Sequence, residues 1–322
     1  MSSTSASARA NGRVSGRHVL VTGASGFIGQ HVVAQMRAAG YQVTAADLVP
    51  FPDPDVPTVL GDLCEESIRE AAVTPGIDAI VHLAAATSVL GSVERPGQVH
   101  RTNVEMTAGL LELARTHDVG AFILASTNAV VGDIGASTIT EDLPLAPLTP
   151  YGGTKAAGEM LLHGYAGAYG IRAPLVRLTN VYGPGMAHKD SFVPRLMRAA
   201  VTDTGVQIYG DGEQRRDLVY VTDAARALVA ALDWPTGPVI IGGSRSYTVN
   251  EITRVAREAS ARPIPAEHVA PMPGEMPAVV VDIARARSRG FEPEVSLSEG
   301  MRSVWADFAP SPVAQGSGDA QD

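Results

Sequence analysis

The fold of this chain is decided by the stretch Val19-Leu20-Val21-Thr22-Gly23-Ala24-Ser25-Gly26-Phe27-Ile28-Gly29, in which an apolar strand leads into three regularly spaced glycines. The spacing predicts a turn that binds phosphate. Gly23 can make the tight bend, Gly26 lets the backbone approach a pyrophosphate, and Gly29 lets helix and strand pack closely. The helix that follows points free N–H groups at the ligand. Because the spacing is GxxGxxG and not the commoner GxGxxG, a glycine-rich turn without a ligand stays open as the alternative.

The residues after the turn have the pattern of a helix followed by a second strand. Ile28, Val32 and Met36 recur every four residues, as in an amphipathic helix. The second apolar strand ends in Asp47. An acidic residue at this distance from the glycines can accept hydrogen bonds from both hydroxyls of an adenosine ribose, and its charge repels a 2′-phosphate. The pattern therefore favours NAD over NADP, with a solvated turn aspartate as the alternative.

The composition bounds the class of protein. The chain has 322 residues, 45% of them hydrophobic, which suits one large domain or two closely packed ones. Its net charge is −9, and it has no basic block, so we expect no nucleic-acid partner. The single cysteine, Cys64, excludes an internal disulfide, and no set of side chains has the spacing of metal ligands.

The compartment is predicted from the cysteine content and from the ends of the chain. Residues 1–16 and 309–322 have the composition of disordered tails, and the first lacks the apolar core of a secretory signal. No apolar stretch approaches the roughly 20 residues that cross a bilayer. One cysteine fits a reducing cytoplasm. We therefore expect a cytoplasmic protein that contacts no membrane.

Strand and helix patterns alternate along the first half of the chain. Apolar strands between amphipathic helices predict an α/β fold with a doubly wound parallel sheet (Rossmann), whose ligands lie beyond the carboxyl ends of the strands. The predicted strands are 19–22, 43–47, 59–61, 79–83, 122–126 and 175–178. The predicted helices are 28–39, 65–72, 99–117 and 152–169.

The pattern changes beyond residue 181, where Gly183-Pro184-Gly185 interrupts it. We expect an NAD-binding domain over residues 17–181, to which residues 218–243 return. Residues 182–217 and 244–308 would form a smaller, discontinuous substrate-binding region. In it, residues 191–200 look helical, residues 207–212 look like a short strand and turn, and the proline-rich stretch 262–277 predicts surface loops over a pocket.

A second motif, Tyr151-Gly152-Gly153-Thr154-Lys155, carries the candidate chemistry. Residues four apart on a helix share one face. The ordinary pKa of tyrosine, ~10, makes it a poor base at neutral pH, but a neighbouring ammonium and an oxidised nicotinamide would stabilise the phenolate. Thr127, at the end of a strand, could hydrogen-bond the same reacting oxygen. The alternatives are a surface Tyr–Lys pair and a threonine that caps the strand end.

These motifs occur in a fixed order with four others along roughly residues 17–308. The chain thereby resembles extended short-chain dehydrogenases/reductases of the NAD-dependent epimerase/dehydratase family, and is similar to UDP-glucose 4-epimerases and their relatives. The motifs that carry the resemblance are Thr22-Gly23-Ala24-Ser25-Gly26-Phe27-Ile28-Gly29, His82-Leu83-Ala84-Ala85, Ser126-Thr127, Tyr151-Gly152-Gly153-Thr154-Lys155, Arg177-Leu178-Thr179-Asn180-Val181-Tyr182-Gly183-Pro184-Gly185 and Gly210-Asp211-Gly212-Glu213-Gln214-Arg215-Arg216-Asp217.

The resemblance implies a role for each matched residue. The implied catalytic residues are Thr127, Tyr151 and Lys155. The implied cofactor-binding residues are Gly23, Ser25, Gly26, Phe27, Ile28, Gly29, Asp47, Asp62, Leu63, Leu83, Ala84, Ala85, Thr87 and Asn103, with Tyr151 and Lys155. The implied substrate-binding residues are Thr127, Asn128, Asn180, Val193, Tyr209 and Arg216. Arg216 suits a diphosphate because a guanidinium forks onto phosphate oxygens, and a local salt bridge with Asp217 is the alternative.

The activity that the resemblance implies is NAD-dependent epimerisation of a nucleotide sugar, at C4 through a transient 4-keto intermediate. A UDP-hexose or UDP-hexuronate would be the substrate, and the protein would be a homodimer through helices 99–117 and 152–169. Two alternatives remain. One is an NAD(P)-dependent ketoreductase or dehydrogenase that acts on a keto-sugar or another carbonyl. The other is a non-catalytic NAD-binding regulator, which would not need the Thr-Tyr-Lys set.

The chain departs from the family pattern at several positions. The dehydratases of the family carry Asp-Glu directly after the catalytic threonine, where this chain has Asn128 and Ala129, so a 4,6-dehydratase is not expected. Val131 replaces a frequent tyrosine. Met272 stands where many relatives have an arginine that binds diphosphate, and Arg245 is a candidate replacement. His82 is expected to be structural, whereas His188 and Lys189 lie in a predicted substrate loop without matching a motif.

Overall fold

The computed structural model describes residues 16–243, 245–270 and 278–309. Its strands are β1 (His18–Thr22), β2 (Gln42–Asp47), β3 (Thr58–Leu60), β4 (Ala79–His82), β5 (Ala121–Thr127), β6 (Thr138–Ile139), β7 (Pro174–Leu178), β8 (Asn180–Tyr182), β9 (Val206–Tyr209), β10 (Arg215–Tyr220), β11 (Gly237–Ile241), β12 (Ser246–Thr248), β13 (Ala266–Val269) and β14 (Val280–Val281). Its α-helices are α1 (Phe27–Ala38), α2 (Glu66–Ala72), α3 (Val89–Glu94), α4 (Pro96–His100), α5 (Met106–Thr116), α6 (Pro150–Tyr169), α7 (Phe192–Thr202), α8 (Val221–Ala230), α9 (Val249–Ser260), α10 (Ala284–Ser288) and α11 (Leu297–Phe308).

Seven strands form one sheet in the order β11-β7-β5-β4-β1-β2-β3, and every neighbouring pair is parallel. The predicted doubly wound α/β fold is therefore confirmed. The strand order reverses at β1, because the chain passes from β3 on one side of it to β4 on the other. Thr22 pairs with His82 at this point, so the carboxyl ends of β1 and β4 lie side by side. A crevice at such a reversal is where ligands bind in this architecture.

Two hydrophobic clusters cover the two faces of this sheet. On one face, α1 and α8 pack over residues such as Val19 and Val81. On the other face, α2, α5 and α6 pack over residues such as Leu20 and Ile80. Neighbouring strand residues face opposite sides of a sheet, so both sets of side chains are buried. This explains why the strands are apolar along their whole length.

A third cluster is the core of a smaller region built from α7, α9, α11 and the short strands. Strands β12, β10 and β8 form one small sheet, while β9 pairs with β13 and β6 with β14. Strand β10 lies between the two regions, because Val219 packs into the core of the large sheet and Leu218 into the smaller core. The predicted return therefore differs from the structure at its start, because β10 belongs to the small sheet, whereas α8 and β11 pack in the large domain.

The predicted helix over residues 99–117 is divided in the structure. Helix α4 is followed by a π-helical turn, Arg101–Glu105, and only then by α5. Such turns are rare and often mark functional sites, because they displace one side chain from the regular helical position. Here the displaced turn contains Asn103.

Candidate active site

The glycine turn leaves no room for larger side chains. Gly23 has a φ of +67°, and a Cβ there would lie 2.7 Å from the backbone nitrogen of Ala84. A Cβ on Gly29 would overlap the carbonyl oxygen of Gly23, and one on Gly26 would lie 3.2 Å from the same oxygen. The turn thus holds strand, helix and the loop after β4 in close contact. The three glycines have the geometry that a pyrophosphate-binding turn requires.

Asp47 connects the glycine turn to the end of β2. Its Oδ2 accepts a hydrogen bond from the Ser25 backbone N–H at 2.9 Å, and its Oδ1 accepts one from Val49 N–H at 3.3 Å. The second acidic candidate, Asp62, accepts a hydrogen bond from Cys64 N–H at 2.8 Å, and Leu63 is buried. Asp47 thus ends β2 beside the glycine turn, and Asp62 follows the neighbouring strand β3.

The loop after β4, with residues Leu83, Ala84, Ala85 and Thr87, is fixed from two sides. The backbone N–H groups of Leu83 and Ala84 both donate to Thr22 Oγ1 at 3.2 Å. Asn103 accepts from Ala86 N–H at 2.8 Å, and its amide nitrogen donates to the Ala86 carbonyl and to Thr154 Oγ1, each at 3.0 Å. Asn103 thus ties this loop to α6.

His82 is a structural residue, as expected. Its Nδ1 lies 2.7 Å from Thr22 Oγ1, and its Nε2 lies 3.0 Å from Thr107 Oγ1. Burial lowers the pKa of His82 to about 3, and the positive charge of Lys155 acts in the same direction. The imidazole is therefore neutral and serves to join β1, β4 and α5.

The start of α6 places Tyr151 against the end of β5. Thr149 caps the helix by accepting the Gly152 N–H at 3.2 Å, and Pro150 occupies its first turn. A Cβ on Gly152 would lie 2.8 Å from the carbonyl oxygen of Ala129, so glycine lets the helix approach the residues after β5. The backbone N–H of Tyr151 donates to Ser92 Oγ on α3 at 3.1 Å.

The catalytic candidates Thr127 and Tyr151 meet through their side chains. A hydrogen bond with Thr127 lowers the pKa of Tyr151, but burial raises it by more, to about 12. Lys155 Nζ donates to the carbonyl oxygen of Ala125 at 3.0 Å. Burial dominates, so the phenol stays protonated at neutral pH, and stabilisation of its phenolate by Lys155 together with an oxidised nicotinamide stays a prediction.

A buried ionic network lies below Lys155. Glu159, one helical turn further along α6, is fully buried and accepts hydrogen bonds from Ser126 Oγ at 2.5 Å and from Arg177 Nη2 at 2.7 Å. Arg177 Nε donates to the same carboxylate at 3.0 Å. The sequence analysis missed this role of Glu159. Its position four residues after Lys155, on the same helix face, is the signal that could have found it.

We expect the Lys155 ammonium to lose its proton with a midpoint near pH 8. Burial lowers its pKa to about 8, while the Glu159 carboxylate acts in the opposite direction. The group is thus charged below this pH and neutral above it, and Glu159→Gln should lower the midpoint. The sequence has two lysines, so 13C NMR of labelled lysine side chains resolves the titration. A midpoint above 10, or no change in Glu159→Gln, would contradict this assignment.

The candidate substrate residues lie on the strands of the smaller region. Asn180 Nδ2 donates to the carbonyl of Asp217 at 2.9 Å, and Arg216 stands opposite Tyr247 in the β10–β12 pairing. Tyr209 is half-buried at the end of β9. Val193 is buried in the core of this region, so its side chain has a packing role.

The structure also shows the surroundings of Asn128 and Arg245. Asn128 is buried, and neither atom of its side-chain amide has a hydrogen-bond partner among the residues described. Arg245 stacks on the Tyr247 ring at 4.0 Å and pairs with Glu251 at 3.0 Å, so its charge is already engaged. Met272 lies outside the described residues.

Within the described ranges, no helix combines the length and the hydropathy that a membrane span needs. In the same ranges, no three His, Cys, Asp or Glu side chains are grouped as metal ligands would be.

Comparison with known proteins places this chain in a family. A family model described as the NAD dependent epimerase/dehydratase family matches residues 19–242. The chain is 32% identical to a putative UDP-glucose 4-epimerase of Methanocaldococcus jannaschii, over 89% of this chain and 96% of that protein. It is also 32% identical to a dTDP-glucose 4,6-dehydratase of Streptomyces niveus, over 94% of this chain and 99% of that protein.

A solved structure agrees with this result. The crystal structure of a UDP-glucose 4-epimerase of Thermotoga maritima with UDP-glucose superposes with a TM-score of 0.85 at 30% identity. The similarity covers 90% of this chain and 98% of that one.

Proposed function

The chain belongs to the NAD-dependent epimerase/dehydratase family, and we propose that it is an NAD-dependent 4-epimerase of a nucleotide sugar, acting through a transient 4-keto sugar. A UDP-hexose or a UDP-hexuronate is the proposed substrate. The observation that carries the proposal is the contact between the Tyr151 phenol and the Thr127 hydroxyl, at the same edge of the sheet as the glycine turn. Oxidation and re-reduction of one sugar carbon need side chains that transfer the hydroxyl proton and a turn that binds the dinucleotide close to them.

NAD is the cofactor of the family, and the residues of this chain fit it. The glycine turn would hold the pyrophosphate and Asp47 the adenosine ribose, while Asp62 and Leu63 would contact the adenine. The exposed apolar side chains Leu48 and Leu60, at the ends of neighbouring strands, would add a surface for that ring. When bound, NAD would supply the hydride acceptor, and in its reduced form the hydride donor, that inversion of a sugar carbon needs.

The protein groups would move the proton. As a phenolate, which the Lys155 ammonium and the positive charge of an oxidised nicotinamide would stabilise, Tyr151 Oη would take the proton of the sugar hydroxyl as its carbon is oxidised, and would return it when the ketone is reduced. The Thr127 hydroxyl would orient the reacting oxygen. Lys155, held by the Ala125 carbonyl and by the charge of Glu159, would bind the nicotinamide ribose and supply positive charge below pH 8.

The residues after Thr127 support epimerisation over dehydration. A 4,6-dehydratase needs a side chain that protonates the departing hydroxyl, and the Asp-Glu pair of the dehydratases does so. In this chain the two positions hold Asn128, whose amide does not titrate, and Ala129, which has no functional group. The buried amide of Asn128, which has no hydrogen-bond partner in the described part of the chain, is instead suited to bind a sugar hydroxyl.

Arg216 and Asn180 would bind the diphosphate end of the substrate. Both belong to the small sheet β12-β10-β8, in which Arg216 is paired with Tyr247 of β12. A homodimer through α5 and α6 stays a prediction. It is supported by the exposed side chains Met160 and Tyr169 on α6.

The test is incubation of the purified protein with a panel of UDP-hexoses and UDP-hexuronates. NMR would follow the product and absorbance at the NADH band would follow the cofactor. We expect one sugar to be inverted at C4 without net NADH formation. Stoichiometric NADH would support the oxidoreductase alternative, and the absence of any product with every UDP sugar would overturn the proposed substrate class.

We expect Asp47→Asn to weaken NAD+ binding by about tenfold or more, because a charged acceptor for the ribose hydroxyls is lost. Asparagine keeps the shape and can still accept the Ser25 N–H. The preference for NAD+ over NADP+ should fall as well, since the repulsion of the 2′-phosphate disappears. Isothermal titration calorimetry with both dinucleotides measures this. Asp55→Asn, at an exposed position after β2, is the matched control.

A further inference from the structure

Lys189 is the second of only two lysines in the chain, whose other basic residues are 23 arginines and the histidines. It lies in the segment between β8 and α7, which crosses from the smaller region to the glycine turn. Its Nζ lies 5.1 Å from the centre of the Phe27 ring, and a Cβ on Gly185 of the same segment would lie 3.8 Å from that ring.

Phe27 joins the two regions at this point. It follows Gly26 of the glycine turn and begins α1, yet its ring packs against the core of the smaller region. Lys189 therefore sits where the pyrophosphate turn meets the substrate side of the crevice. Burial lowers the pKa of the half-buried Lys189 ammonium.

No acidic partner balances this charge within the ranges that the structure describes. The neighbouring Asp190 pairs with Arg198 at 3.2 Å, and Asp307 on α11 accepts the Gly185 N–H at 2.8 Å. The remaining ionisable groups here are His188 in the same segment and His31, which packs edge-on against Phe27. Neither histidine supplies a negative charge. A partly buried ammonium without a counter-ion is unfavourable unless a ligand provides one.

We propose that Lys189 is an anion-binding residue that donates to phosphate oxygens at the junction of cofactor and substrate. The proposal rests on the proposed function, because it assigns the residue to the dinucleotide pyrophosphate or to the nucleotide-sugar diphosphate. Both ligands present phosphate oxygens, and the first experiment below distinguishes them. Met272 stands where many relatives have an arginine that binds diphosphate. Lys189 would supply that positive charge from a different segment of the chain.

The first test uses the unmodified protein with 13C-labelled lysine side chains, assigned with Lys189→Arg. NAD+ and UDP are the probes, added separately. A phosphate bound at Lys189 favours the ammonium, so its titration midpoint should rise with one of the two ligands. A rise with NAD+ assigns the cofactor pyrophosphate, and a rise with UDP assigns the substrate diphosphate. An unchanged midpoint at saturation with both ligands overturns the proposal.

The second test measures affinity by calorimetry. Lys189→Met keeps the apolar stem and should weaken the relevant ligand by about tenfold or more, while Lys189→Arg should retain most of the affinity. The control is Arg254→Met, which removes one positive charge from an exposed ion pair on α9. Equal loss in Lys189→Met and the control overturns the proposal.

These readouts are independent of turnover. If NAD+ raised the titration midpoint of Lys189 but the protein converted no UDP sugar, the proposed substrate would be refuted and the Lys189 assignment would stand. If the protein epimerised a UDP sugar and neither ligand changed the titration of Lys189, the Lys189 assignment would be refuted and the proposed function would stand.

Discussion

Replacement of Tyr151 by phenylalanine should lower kcat by at least about 1,000-fold, because the proton of the sugar hydroxyl then has no acceptor. NAD+ binding should remain within a few fold, since the glycine turn and Asp47 are untouched. The half-buried phenol contacts Thr127, so its removal should cost little packing. The measurements are kcat for the sugar found in the panel and the dissociation constant of NAD+.

Tyr165→Phe is the matched control for this variant. It removes a hydroxyl from the same helix, where the phenol donates to Glu112 at 3.2 Å on the protein surface. Its kcat should equal that of the unmodified protein. If Tyr151→Phe kept more than a tenth of the activity, proton transfer by Tyr151 would be refuted. If it lost NAD+ binding as well, the residue would have a structural role.

Replacement of Glu159 by alanine should lower the free energy of unfolding by about 3–5 kcal/mol, because the Arg177 guanidinium would stay buried without its counter-ion. Both side chains are almost fully buried, and three hydrogen bonds with Arg177 end on this carboxylate. Urea unfolding followed by circular dichroism measures the change.

Two variants decide how this loss arises. Glu258→Ala breaks an exposed ion pair with Arg254, at 2.6 Å on α9, and should change stability by less than about 1 kcal/mol. The double replacement Glu159→Leu with Arg177→Met removes both charges and should be less destabilising than Glu159→Ala. A loss below 1 kcal/mol for Glu159→Ala would mean that water reaches Arg177, in contradiction to its burial.

Most of the large sheet could be predicted from the sequence, because its strands are buried on both faces and read as apolar runs of the right length. The predicted strands 19–22 and 79–83 differ from the observed ones by one residue at an end. The division of residues 99–117 could not be predicted. Nothing in the local sequence requires the π-helical turn, which is accompanied by contacts of Asn103 with Ala86 and Thr154, residues distant in the chain.

The sequence predicted a return to the large domain from residue 218, whereas β10 belongs to the small sheet. Leu218 and Val219 are both apolar, and the pattern cannot show that they belong to different cores. The assignment depends on which strands lie on either side, and these come from residues 180–182 and 246–248.

The sequence by itself determined the glycine turn, Asp47 and the Thr127, Tyr151 and Lys155 set, because each depends on residue type and short spacing. Only the tertiary structure decided the charge states and the partners of these groups. Burial keeps the Tyr151 phenol protonated, and Lys155 donates to a backbone carbonyl with Glu159 beneath it. A pKa follows from the dielectric surroundings and from charges that meet only when distant segments fold together, so spacing along the chain cannot supply it.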